Sequence, residues 1–106
     1  MVEALAAGLP RSGLRAIHAG TGDYPRPEPL DGALPDVTGR DNRLHIFAVA
    51  GADELYDPAA ARRWATLAGY AARAGTTFYL AVPGRLREET QDRLRELGIN
   101  ARVMAI

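Results

Sequence analysis

No cysteine occurs in the chain, which excludes disulfides, thiolate zinc sites and cysteine nucleophiles. Histidine is scarce: His18 and His45 are the only two, too few for an all-histidine metal cage. Ser12 is the only serine and sits in a Gly-containing turn, so a Ser-His-Asp triad has no support. No apolar run approaches the roughly 20 residues that span a bilayer. The N-terminus lacks a basic segment followed by a long apolar stretch, so no secretion signal is expected. These absences point to a reducing cytoplasm and no membrane partner. Charge of either sign is also not in excess, because 13 basic side chains cancel 13 acidic ones. A neutral chain lacks the broad positive field on which sequence-independent nucleic-acid binding depends. Any such contact needs a local basic patch or help from a partner chain.

What is present is 106 residues with 47% apolar side chains, enough for one domain (1–106) with a single modest core. Val2 to Leu9 is Ala/Leu-rich and reads as a short helix stopped at Pro10. Leu14 to Ala19 alternates apolar with polar, as a half-buried strand does. Gly20 to Gly32 carries Pro25, Pro27 and Pro29; proline lacks the N–H and restricts its predecessor, so an extended surface loop is expected. Ala33 to Thr38 reads as a short strand, followed by a hairpin turn over Gly39 to Arg43. Leu44 to Ala50 is almost continuously apolar, the pattern of a strand buried on both faces. Asp57 then caps a helix with Pro58 at its first position, running to about Ala74 and closed by Gly75. Thr76 to Val82 is β-branched and aromatic, a strand. Arg85 to Leu97 is an amphipathic helix with Glu89 and Arg93 placed to pair, and Gly98 ends it. Ile99 to Ile106 returns as a last strand. The expected fold is α/β, a mixed central sheet flanked by helices, in the order α-β-β-β-α-β-α-β.

That order, with Leu34-Pro35-Asp36-Val37 one hairpin before the buried run Arg43 to Ala50, resembles the PD-(D/E)XK (restriction-endonuclease-like) nuclease superfamily. Trp64 to Tyr70 in the long helix and the strand ending Val82-Pro83 add to the likeness, which covers roughly Val2 to Pro83. The resemblance implies that Asp36 is the metal-binding aspartate. It also implies an acid and a lysine two residues apart on the next strand, sharing one face because strand side chains alternate. The hairpin length puts those positions at Ala48 and Ala50, and neither alanine can bind a metal or stabilise charge. Two origins fit: natural degeneration of the site, or a deliberate substitution, most plausibly at Ala48. An acid restored at 48 with a lysine at 50 should then raise metal affinity.

The resemblance thus implies a degenerate, non-cleaving nuclease-fold domain that needs no cofactor and binds nucleic acid weakly, a protein partner or further copies of itself. Its alternatives are a pure protein-interaction scaffold and an active magnesium-dependent DNA nuclease. The latter would use Asp36 with relocated acids, for which Glu3, Asp53 and Glu54 stand as replacements. Asp36 could instead serve only to cap the hairpin. Arg62, Arg63 and Arg73 form the candidate phosphate-binding patch on the long helix, against the ordinary role of a solvated helix face. Trp64, Leu67, Ala68 and Ala71 form a stripe suited to core packing. His45 alternates with Ile46 and Ala48, facing away from the implied cleft as a structural histidine. His18 has no acid or nucleophile at recognisable spacing. Gly20-Thr21-Gly22 is followed by prolines rather than a helix N-terminus, so it makes no dinucleotide site.

Overall fold

The computed structural model describes all 106 residues, and its framework is one five-stranded sheet in the order β1-β2-β3-β4-β5. The strands are β1 (Arg15–Ala19), β2 (Val37–Arg40), β3 (Leu44–Val49), β4 (Phe78–Val82) and β5 (Arg102–Ala105). The first three pair antiparallel and the last three parallel, so the sheet is mixed and β3 is its centre. Ile46 and Ala48 on one face of β3, and Phe47 and Val49 on the other, enter two separate cores. That is why the run carries no polar side: neither face meets water.

Helices α2 (Pro58–Ala74) and α3 (Arg87–Leu97) cover the first face. Trp64, Leu67 and Ala71 of α2 and Leu94 of α3 join Ile46, Phe78, Leu80 and Val82 in this larger core. The core stripe expected on the long helix is therefore real, with Ala68 packed at its margin. The local signals at its ends also act as expected. Asp57 accepts a hydrogen bond from the Ala59 amide at 3.0 Å, and Gly75 turns the chain out at φ 69°, a conformation cheap only for glycine. The second face is covered by the short helix α1 (Val2–Gly8) and the 3₁₀ turn Leu9–Ser12, over Val37, Phe47 and Ala81.

Several element boundaries differ from expectation for physical reasons. The first α-helix ends at Gly8, ahead of Pro10 as expected, but Pro10 then lies in the first turn of a 3₁₀ segment, where its missing N–H would have no partner anyway. The second strand begins at Val37 rather than Ala33, because Leu30 and Ala33 close a small bridge of their own around Asp31, at φ 53°. It also continues through Gly39, read from the sequence as turn. A Cβ on Gly39 would come within 3.0 Å of Ile17 Cδ1 and 3.3 Å of Leu14, so this glycine permits close packing rather than a bend. The last strand is shorter than Ile99 to Ile106, and Glu89 bonds Tyr56 at 2.9 Å while Arg93 turns to Glu96 instead.

The Pro-rich loop seals the edge of the sheet at β1. Pro25 accepts the Ala19 amide at 2.9 Å, and Arg26 donates to the Ala19 carbonyl at 3.1 Å. His18 Nδ1 bonds the Arg26 carbonyl at 3.1 Å, a structural use for this histidine. The register of β1 against β2 also shifts between Arg15 and His18, with Ala16 at φ 52°. A bulged and covered edge resists further strand pairing.

Candidate functional site

Asp36 stands immediately before β2, its amide bonded to the Phe47 carbonyl at 3.0 Å. Val37 is the partner of Phe47 in the ladder, so one step back puts Asp36 beside Ala48. Alternation then sends Asp36, Ala48 and Ala50 to the same side of the sheet, the side under α2. No open cleft lies there. Ala48 and Ala50 are both 0% exposed and belong to the larger core with Trp64, Leu80 and Val82.

One oxygen of the Asp36 carboxylate is already engaged twice. Its Oδ2 accepts the Val49 amide at 2.7 Å and lies 3.1 Å from the Arg63 guanidinium. Arg63 is held in turn by the Leu34 carbonyl, which accepts from its Nε at 2.7 Å. The two side chains are about a quarter exposed, at 27% and 28%, so the pair is partly withdrawn from water and well oriented. Asp36 thus ties the end of β3, the start of β2 and helix α2 together. The sequence singled out Asp36 and Arg63 separately, one as a metal ligand and the other as a phosphate contact. The structure joins them.

The other two arginines of the candidate patch are divided. Arg73 is ion-paired with Asp31, whereas Arg62 is exposed and has no carboxylate partner. Arg62 and Arg63 flank a shallow hollow of about 320 Å³ between α2 and the Asp31–Leu34 turn.

The relocated acids do not converge on Asp36. Glu54 accepts the Gly51 amide at 3.2 Å and caps a 3₁₀ turn after β3. Glu3 lies on α1 beside Gly22, and α1 packs on the opposite face from α2. No group of three or more His, Asp or Glu side chains comes together in a form that could hold a metal ion. The chain also contains no lysine at all, since its 13 cationic side chains are arginines. The water-orienting lysine that the resemblance implies therefore has no replacement elsewhere.

One polar network escaped the sequence reading. His45 Nε2 lies 2.9 Å from Asp41 and its Nδ1 lies 3.3 Å from the Tyr79 hydroxyl. Tyr79 stacks on Phe47 at 4.7 Å between ring centres. Asp41 is held below the ordinary carboxylate range, first by the Arg43 amide it accepts and then by His45. Spacing of four between Asp41 and His45 carried the signal, but Tyr79 is 34 residues on and could not be placed without the sheet. The network locks the β2–β3 hairpin to β4. No protein-family model, no curated protein and no solved structure matches the chain.

Proposed function

We propose that this chain is a non-cleaving binding domain on a nuclease-like α/β frame, a degenerate relative of the PD-(D/E)XK nucleases. The observation that carries the reading is the ion pair of Asp36 with Arg63. A metal ion there would sit beside the Arg63 guanidinium, whose charge repels it, and would gain at most one carboxylate where magnesium or calcium sites normally gather several oxygen ligands. The buried alanines at 48 and 50 supply none, and the absence of lysine removes the expected partner of the attacking water.

Nucleic acid is the ligand assigned first, because guanidinium groups bind phosphate oxygens in a bidentate fork and α2 carries Arg62, Arg63 and Arg73. The test is a salt titration of duplex DNA binding by fluorescence anisotropy. Three free arginines would give a logarithmic salt slope of roughly −2.7, and one would give roughly −0.9. With Arg63 committed to Asp36 and Arg73 to Asp31, the expected slope is the shallower one, flattened further by Arg62→Ala. A slope near the steeper figure would show that the ion pairs open to bind phosphate. No binding at low salt would move the function to a protein partner. A specific observation favours that second reading too: Leu34 and Tyr56 are 52% and 57% exposed.

A further inference from the structure

A hollow of about 320 Å³, distinct from the one beside Arg62, lies against β1 and β2 on the face that α2 covers. Its floor is two cross-strand rows. His18 stands opposite Thr38, and Arg40 opposite Leu44. Thr38 is also the ladder partner of Ile46, so alternation puts both rows on the side of the larger core. Tyr70 of α2 and Glu28 and Leu30 of the Pro-rich loop line the hollow from above. The larger core ends here, with Leu30 buried and with Leu44 and Tyr70 packed at its margin. Ala16, at φ 52° in the β1 bulge, completes the rim.

The polar groups around this hollow have bonding capacity that the chain itself does not use. Thr38 is only 6% exposed. Its hydroxyl makes no side-chain hydrogen bond, yet it is not sealed in the core as the Thr90 hydroxyl is, so it opens into the hollow. His18 turns Nδ1 to the Arg26 carbonyl at 3.1 Å. A carbonyl only accepts, so Nδ1 carries the hydrogen, and the neutral ring keeps a lone pair on Nε2. Glu28 and Arg40 are both exposed, and neither belongs to any ion pair of the chain. Arg15 is the ladder partner of Arg40 and is equally unpaired. Like charges set directly opposite each other are destabilising, and an anion between these two arginines would remove that cost.

The geometry points to this hollow as a binding site for a free aliphatic amino acid. Charges of both signs line it without pairing with each other, which suits a ligand that carries an ammonium and a carboxylate together. Arg40, with Arg15 beside it, takes the carboxylate in a guanidinium fork. Glu28 and the His18 Nε2 lone pair accept from the ammonium, and the Thr38 hydroxyl bonds whichever end it meets. Leu30 and Leu44 supply the apolar surface for a short aliphatic side chain. The volume is at the small end of ligand sites, and a few polar groups converging beside an apolar wall is their usual composition. A nucleotide is disfavoured, because its phosphate would bring a second negative charge close to Glu28. None of Arg62, Arg63 and Arg73 lines this hollow, so the site stands apart from the nucleic-acid reading and does not depend on it.

The probes are L-leucine, L-isoleucine and L-valine, titrated into the chain and followed by amide NMR. Isopentylamine and isocaproate serve as leucine analogues that lack the carboxylate and the ammonium respectively. At least one of the three amino acids gives saturable shifts of the Leu30, Thr38 and Arg40 amides. If that one is leucine, each analogue binds about tenfold more weakly or less; for isoleucine or valine the matching amine and acid replace them. Glu28 and Arg40 are exposed, so variants at these positions keep the fold. Arg40→Gln weakens the amino acid about tenfold and leaves the amine analogue unchanged. Glu28→Gln weakens the amino acid by a similar factor and leaves the acid analogue unchanged. A merely general loss of stability would not produce that crossed pattern. No saturable shift with any of the three at millimolar concentration overturns the proposal. So does an analogue that binds as tightly as the amino acid, or binding indifferent to both variants. Adenosine monophosphate shifting the same amides, with the amino acids silent, gives the hollow to a nucleotide and overturns it as well.

Discussion

Ala48→Glu combined with Ala50→Lys is expected to abolish cooperative folding rather than to build a metal site. On the resemblance alone the pair should gain metal affinity, by restoring an acid and a base beside Asp36. The packing reverses that outcome. Both alanines are 0% exposed among Trp64, Leu80 and Val82, with no space for a longer side chain and no water for its charge. Each buried ion costs several kcal/mol after relaxation, and overpacking adds about 1–3 kcal/mol per site. Against a total stability of about 5–15 kcal/mol for a domain, the sum removes most or all of it. Trp64 is the only tryptophan and is fully buried, so its emission reports the core. The double variant should show red-shifted emission before any denaturant and no sigmoidal transition. A folded variant that binds manganese would mean that residues 48 and 50 face an accessible cleft.

Asp36→Ala should destabilise the chain by about 2–4 kcal/mol, combining a lost charge-assisted hydrogen bond with an amide left unsatisfied. The melting temperature should fall by more than about 10 °C. Val49 would lose the acceptor of its N–H, and Arg63, only 28% exposed, would lose its counter-charge. Asp36→Asn should cost less, because an amide oxygen can still accept from Val49 while the ion pair is gone. A metal-ligating aspartate in a strained site behaves oppositely, since its removal often stabilises a fold at the expense of function. Thermal denaturation of the two variants beside the parent decides between these. A melting temperature raised by Asp36→Ala would contradict the structural role.

The central strand and the long helix were legible because local pattern and tertiary role agree there. The run Leu44 to Ala50 is apolar because both faces are covered, and Asp57, Pro58 and Gly75 act within a few residues of themselves. The alternation argument likewise placed Asp36, Ala48 and Ala50 on one side of the sheet, since it depends only on hairpin register. What sequence could not supply was what lies over that side. The ion pair between Asp36 and Arg63 spans 27 positions, and Arg63 reads alone as one of several helix-surface arginines. Gly39 was misread because a turn-forming composition looks the same whether glycine bends the chain or lets Leu14 and Ile17 pack against it. Pro10 marks the end of the first helix as its chemistry dictates, but the 3₁₀ turn that follows it carries no sequence signal of its own. The covered edge at β1 depends on a loop folding back, a contact between Ala19 and Pro25 that no periodicity encodes.

The most direct test of the account is a calorimetric titration of the purified chain with manganese and magnesium, with supercoiled DNA incubated in parallel. Asp36→Asn serves as the comparison, because it keeps the Val49 contact and the fold. The account predicts no saturable heat for either protein and no metal-dependent nicking, since Asp36 is bonded to Val49 and Arg63 and no second ligand stands near it. Saturable manganese binding with nicking, both lost in Asp36→Asn, would contradict it and restore Asp36 as a catalytic metal ligand.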